Sequence, residues 1–153
     1  SAGWEKLGIG TFTEGFVTQY WGEQPTTHQT YIMKHKDNDQ LFRLINPYRF
    51  GFGYPLADSS TDAPGEGPWH IDVDCTRRDM VVIRPQRTGF LVGNEQIIAN
   101  AAGCGLNGSD TYDKNSRTIT INFPMLSGDG GITWNQVWKV KPFVPAKIVL
   151  PDK

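Results

Sequence analysis

The chain has 153 residues, among them 17 Gly, 10 Pro and 5 Trp, and its 15 Lys and Arg nearly balance 16 Asp and Glu for a formal net charge of −1. That length fits one domain over residues 1–153, large enough to build a core without staples. The charge balance leaves no basic footprint for nucleic acid and no polybasic run for anionic lipid, and no apolar run nears the roughly 18 residues of a membrane span.

Gly and Pro both interrupt helices, so the composition favours short strands joined by turns. Residues 4–17 (WEKLGIGTFTEGFV) predict a strand, a bend and a second short strand. Residues 20–27, with Gly22 and Pro25, predict a loop. Residues 29–36 (QTYIMKHK) and 41–48 (LFRLINPY) form the best hairpin candidate, turned by Asp37-Asn38-Asp39, whose side chains can bond to nearby backbone. Pro47 cannot donate to a ladder, so the second strand should end there or lie at an edge.

Residues 49–68 are the longest irregular stretch, rich in Gly, Pro and acidic residues. Residues 69–75 then alternate: Ile71, Val73 and Cys75 point one way, His70, Asp72 and Asp74 the other. Residues 80–84 and 88–92 predict strands. Residues 95–101 fit a strand or a short helix, because periodicity does not separate the two in a short run. Residues 102–110 (AGCGLNGSD) predict a loop. Residues 118–123 alternate most clearly, with Ile119, Ile121 and Phe123 inward and Thr118, Thr120 and Asn122 outward. Residues 127–131 predict a turn, residues 132–141 (ITWNQVWKVK) a long last strand, and Pro142, Pro145 and Pro151 a stiff tail. No amphipathic helix and no internal repeat emerge.

Several segments in this order, WEKLGIGTFTEGF, LFRLINPY, WHIDVDC before MVVIRP, Thr88-Gly89 and DTYDKNSRTITINFP, resemble secreted lipoprotein domains of the Bacteroidetes type, many of unknown function. The resemblance runs from about Trp4 to Phe123. It implies an exported all-β module at the outer membrane, cell surface or periplasm. The lipid anchor would then lie on a Cys upstream of Ser1. It carries over no catalytic residue.

Three constellations carry chemistry. His70, Asp72 and Asp74 share one strand face at roughly 6.5–7 Å between successive Cα atoms. Imidazole plus carboxylates is a set that Zn²⁺ accepts, but a structural site needs further ligands, and a solvated strand face is the simpler expectation. Cys75 and Cys104 are the only cysteines. A disulfide between them would close a loop of about 29 residues, for roughly 3–4 kcal/mol. Against it, Cys75 shares a face with Ile71 and Val73, where a free thiol packs as a small apolar group. The third constellation is aromatic: Tyr48, Phe50, Phe52 and Tyr54 alternate along YRFGFGYP, and Trp69 follows the acidic stretch. Such rings can stack on sugar faces while neighbouring polar groups bond the hydroxyls. Trp4, Trp134 and Trp138 fit core or strand-face positions.

No nucleophile elbow and no phosphate-binding loop is present. The expectation is an all-β antiparallel sandwich of seven to ten strands, with a calycin-like β-barrel as the alternative. The expected function is a non-catalytic module of the cell envelope, binding a glycan or another envelope component or serving adhesion, without a cofactor. The alternative is a small glycoside hydrolase or another secreted hydrolase, which needs two carboxylates about 5–10 Å apart in a cleft.

Overall fold

The computed structural model describes residues 3–14, 26–48, 69–77, 80–92, 95–99, 111–121, 126–128 and 146–152. They form ten strands: β1 (Trp4–Glu14), β2 (Thr26–His35), β3 (Asn38–Ile45), β4 (His70–Asp74), β5 (Gln86–Val92), β6 (Glu95–Ala99), β7 (Thr111–Asp113), β8 (Thr118–Ile121), β9 (Leu126–Gly128) and β10 (Ala146–Val149). No helix occurs among them. Seven strands make one antiparallel sheet in the order β4-β3-β2-β1-β10-β8-β7, and β5-β6-β9 make a second. The larger sheet is curled into a half-barrel, so the all-β reading holds in a barrel-like sandwich.

Strict alternation builds the concave face. Phe12, Ile32, Phe42, Leu44, Ile71, Val73, Ile119, Ile121 and Ile148 are all buried, while their strand neighbours face away. Each such side chain contributes about 1.5–3 kcal/mol when taken out of water. The curl is visible in one contact: the rings of Phe42 on β3 and Tyr112 on β7 meet edge to face at 5.7 Å, although four strands separate β3 from β7 in the sheet.

The expected hairpin is β2 and β3, with Ile32 opposite Leu44 and Lys34 opposite Phe42. Its second strand stops at Ile45, ahead of Pro47 as expected. Asn46 follows in the left-handed region at φ 49°, a conformation that Asn tolerates, and its N–H donates to the Trp69 carbonyl. The clean alternation of residues 70–75 is likewise realised, and residues 95–99 are strand.

Several expectations need correction. The start of the chain is one long strand, not two: a register shift between Lys6 and Gly8 absorbs the irregularity as a bulge. Residues 80–84 contribute only an isolated bridge, Asp74 to Val82, although Val81 and Ile83 are buried. Ser127 and Gly128 belong to β9 rather than to a turn. β7 has no counterpart in the sequence reading. The largest correction is the proline-flanked tail. Residues 146–149 are β10, which lies between β1 and β8 with Ala146 and Ile148 inward. Gly10 makes room for it, because a Cβ there would strike the Val149 carbonyl and Ile32. The expected loop at 102–110 and last strand at 132–141 lie outside the described residues.

Candidate functional site

The β7–β8 connection, DKNSR, is turned by its own side chains. Asp113 Oδ1 accepts from the N–H groups of Asn115 at 2.9 Å and Ser116 at 3.4 Å. Those bonds hold the Asp113 carboxyl below its usual range. Arg117 ends the turn at φ 58°, and its carbonyl accepts from Leu150 N–H at 2.9 Å. The turn therefore sets Lys114 and Arg117 over one open end of the curled sheet.

A groove of about 450 Å³ lies there, lined by Leu7, Lys34, Asp39, Gln40, Phe42, Tyr112, Lys114, Arg117 and Leu150. A smaller hollow of about 240 Å³ shares Gln40, Tyr112 and Lys114 with it and adds Cys75, Thr76, Arg77 and Met80. The first volume falls within the range of small-molecule sites. Its floor is apolar and its rim polar, because Phe42 and Leu150 end the core while the turns supply the charges. Lys34 pairs with Glu5 at 3.2 Å. Burial, and next the nearby Cys75, push the Tyr112 phenol above its usual value, and the Arg117 charge pulls it back. Asp39 is the one carboxylate among the described residues that lines either hollow.

Of the aromatic constellation, Tyr48 and Trp69 are among the described residues. Tyr48 is fully buried, packed edge to face on Phe12 at 5.5 Å, so it is a core residue and no part of a binding surface. Its phenol is pushed well up, first by burial and then by the Glu14 carboxylate. The cause is local: after Pro47 the chain turns inward, where His28 Nε2 bonds the Pro47 carbonyl. Trp69 is half-buried, and Gly89, at φ 83°, lies so close that a Cβ there would overlap the indole. Phe50, Phe52 and Tyr54 lie outside the described residues.

The His70, Asp72 and Asp74 face is engaged by two arginines. Arg43 grips Asp72 through two bonds, 2.7 Å from Nε and 2.9 Å from Nη2. It also stacks over the Trp4 ring at 4.0 Å. Arg84 approaches Asp74 at 3.6 Å. His70 stands 3.9 Å from Asp72, and burial, followed by the Arg43 charge, holds its pKa below the usual 6.5 against the pull of Asp72. No group of three metal-ligating side chains occurs among the described residues.

Cys75 is a buried free thiol, the alternative to a possible disulfide with Cys104, which lies outside the described residues. Burial, then the charge of Asp74, push the thiol up to about 12, so it is no nucleophile near neutral pH.

The groove residues escaped the sequence reading because they come from five separated segments, Leu7 to Leu150, with no shared motif. The DKNSR turn was their one local signal: an Asx residue followed by cations between two strand-like runs. No protein-family model, curated protein or solved structure matches the chain.

Proposed function

We propose that the chain is a non-catalytic binding module of an exported, envelope-associated protein, with the open end of the half-barrel as its ligand site. One observation carries this reading: polar groups from three strands and a turn converge over an apolar, aromatic floor in a groove of about 450 Å³. Curled sheets commonly hold ligands at such mouths. A glycan suits the lining. The Tyr112 ring offers a stacking face, and Gln40, Asp39 and the Tyr112 hydroxyl offer partners for sugar hydroxyls.

The absence of catalysis is supported by chemistry. Burial pushes the Cys75 thiol up to about 12, Asp72 and Asp74 are held by arginines, and among the described residues Asp39 has no second carboxylate beside it in the lining. A hydrolase of the two-carboxylate kind needs such a pair. The envelope setting is supported by the segments that resemble secreted lipoprotein domains.

The test is a thermal-shift and titration screen against soluble glycans, followed by variants. Tyr112→Ala and Gln40→Ala should weaken any ligand at least tenfold, while Trp4→Ala on the opposite sheet face leaves it unchanged. Binding that survives both groove substitutions, or a screen with no ligand at all, would overturn the proposal.

A further inference from the structure

The groove is not electrically neutral. Lys114, Arg117 and, in the adjoining hollow, Arg77 stand around Tyr112. No ion pair among the described residues joins any of the three to a carboxylate. The other cation of the lining, Lys34, has Glu5. Arg43 and Arg84, away from the groove, have Asp72 and Asp74. Among the described residues, three cations without an ion pair therefore stand around the groove and its adjoining hollow.

Arg117 stands out twice. Its Nε is buried and meets no acceptor among the described residues, which leaves a costly unmade bond. Its backbone is in the left-handed region, at φ 58°, where a non-glycine residue costs of order 1–3 kcal/mol. Asn115, two residues earlier, would tolerate that conformation more easily. The turn thus spends conformational strain to fix a poorly satisfied cation at the groove wall. Planar guanidinium is the group suited to gripping a carboxylate or sulfate through paired bonds.

We infer that the groove takes an acidic sugar, whose carboxylate or sulfate is bound by Arg117 and Lys114 and whose ring lies on Tyr112. This rests on the proposed ligand site and specifies its ligand. Asp39 sets a limit on the orientation: the anionic substituent must lie on the Lys114 and Arg117 side, with ring hydroxyls toward Asp39 and Gln40. Arg77 lines the second hollow, which shares Gln40, Tyr112 and Lys114 with the groove, so an acidic oligosaccharide should bind more tightly than a single acidic sugar.

The experiment uses calorimetric titration of the whole chain with three probes of equal length: a uronate trisaccharide, the same trisaccharide with its carboxyl groups reduced to alcohols, and a sulfated neutral trisaccharide. The uronate should bind at least tenfold more tightly than the reduced sugar, and its affinity should fall as salt rises from 0.05 to about 0.5 M, over which the screening length shortens several-fold. The sulfated probe tells whether the charge or the planar carboxylate is read. Lys114→Gln, an exposed turn position, and Arg117→Gln should each remove at least fivefold for the acidic probe and leave the reduced probe unchanged. Should Arg117→Gln unfold the turn, Lys114→Gln still decides. Equal binding of the uronate and its reduced form, lost in Tyr112→Ala, overturns the acidic inference and keeps the glycan site. No binding of any probe overturns both.

Discussion

The two flanks of the seven-stranded sheet are assembled by different means. On one side, β1, β2, β3 and β4 are neighbours in sequence and in space, each pairing with the next. On the other, β10 comes from the far end of the chain to pair with β1, Thr11 opposite Val149, and then with β8, Ile148 opposite Ile119. The connections of the first flank run from two residues between β2 and β3 to 24 between β3 and β4, whereas the second flank closes a loop of more than a hundred residues for three registered pairs. The groove lies between them, with Lys34, Gln40 and Phe42 from the meander and Tyr112, Lys114, Arg117 and Leu150 from the other flank. A site built across that seam exists only when both flanks have docked.

The sharpest way to break this comparison is to truncate one buried side chain on each flank. Ile148→Ala and Leu44→Ala should each cost roughly 2–5 kcal/mol. The kinetics should differ: Leu44→Ala slows folding, with a φ-value of about 0.5–0.8, and Ile148→Ala mainly speeds unfolding, with a φ-value of about 0–0.3. Equal φ-values in chevron measurements would erase the distinction. Next in size, Gly10→Ala should destabilise by about 1–3 kcal/mol, because the new methyl meets the Val149 carbonyl and forces β10 away from β1. Hydrogen exchange should then rise first in residues 146–150, and a uniform rise would count against the seam.

A smaller effect belongs to the meander's outer face. Arg43→Ala removes a bidentate pair and a stack on Trp4, both partly exposed, so the loss in urea denaturation should be about 1 kcal/mol. The smallest is a titration. The folded-state pKa of His70 lies below its usual 6.5, so the unfolded chain binds more protons. Its contribution is whole above pH 6.5 and is lost as pH falls through the folded value. The slope of midpoint against pH between 7.5 and 5 should flatten in His70→Gln, and an unchanged slope would show that His70 is not its source.

The meander was legible in the sequence because its signals are local. Alternation, an Asx turn and Pro47 each act within a few residues, and they gave β4 to within a residue and the β2–β3 hairpin with bounds up to three residues off, since Thr26, Thr27, Asn38 and Asp39 are strand. β10 carries the same alternation, Ala146 and Ile148 against Lys147 and Val149, but over only four residues. Pro145 and Pro151 around it argued for a tail, and nothing local tells that Gly10, over a hundred residues away, leaves space for it. The groove was illegible for the same reason. Tyr48 misled in the opposite direction: alternating rings in a Gly-rich stretch suggested display, and the inward turn after Pro47 put this one in the core.

The outer side of β4 has a consequence for how copies of this molecule meet. Gln86 sends its side-chain carboxamide along that strand, accepting from Asp72 N–H at 2.7 Å and donating to the Asp72 carbonyl at 3.0 Å, while Val82 exchanges two backbone bonds with Asp74. A side-chain amide thus impersonates a peptide unit and occupies the position that an incoming chain would use. The opposite margin, β7, is three residues long, too short a template for lateral growth. Among the described residues, both margins of the seven-stranded sheet thus offer little template for strand exchange.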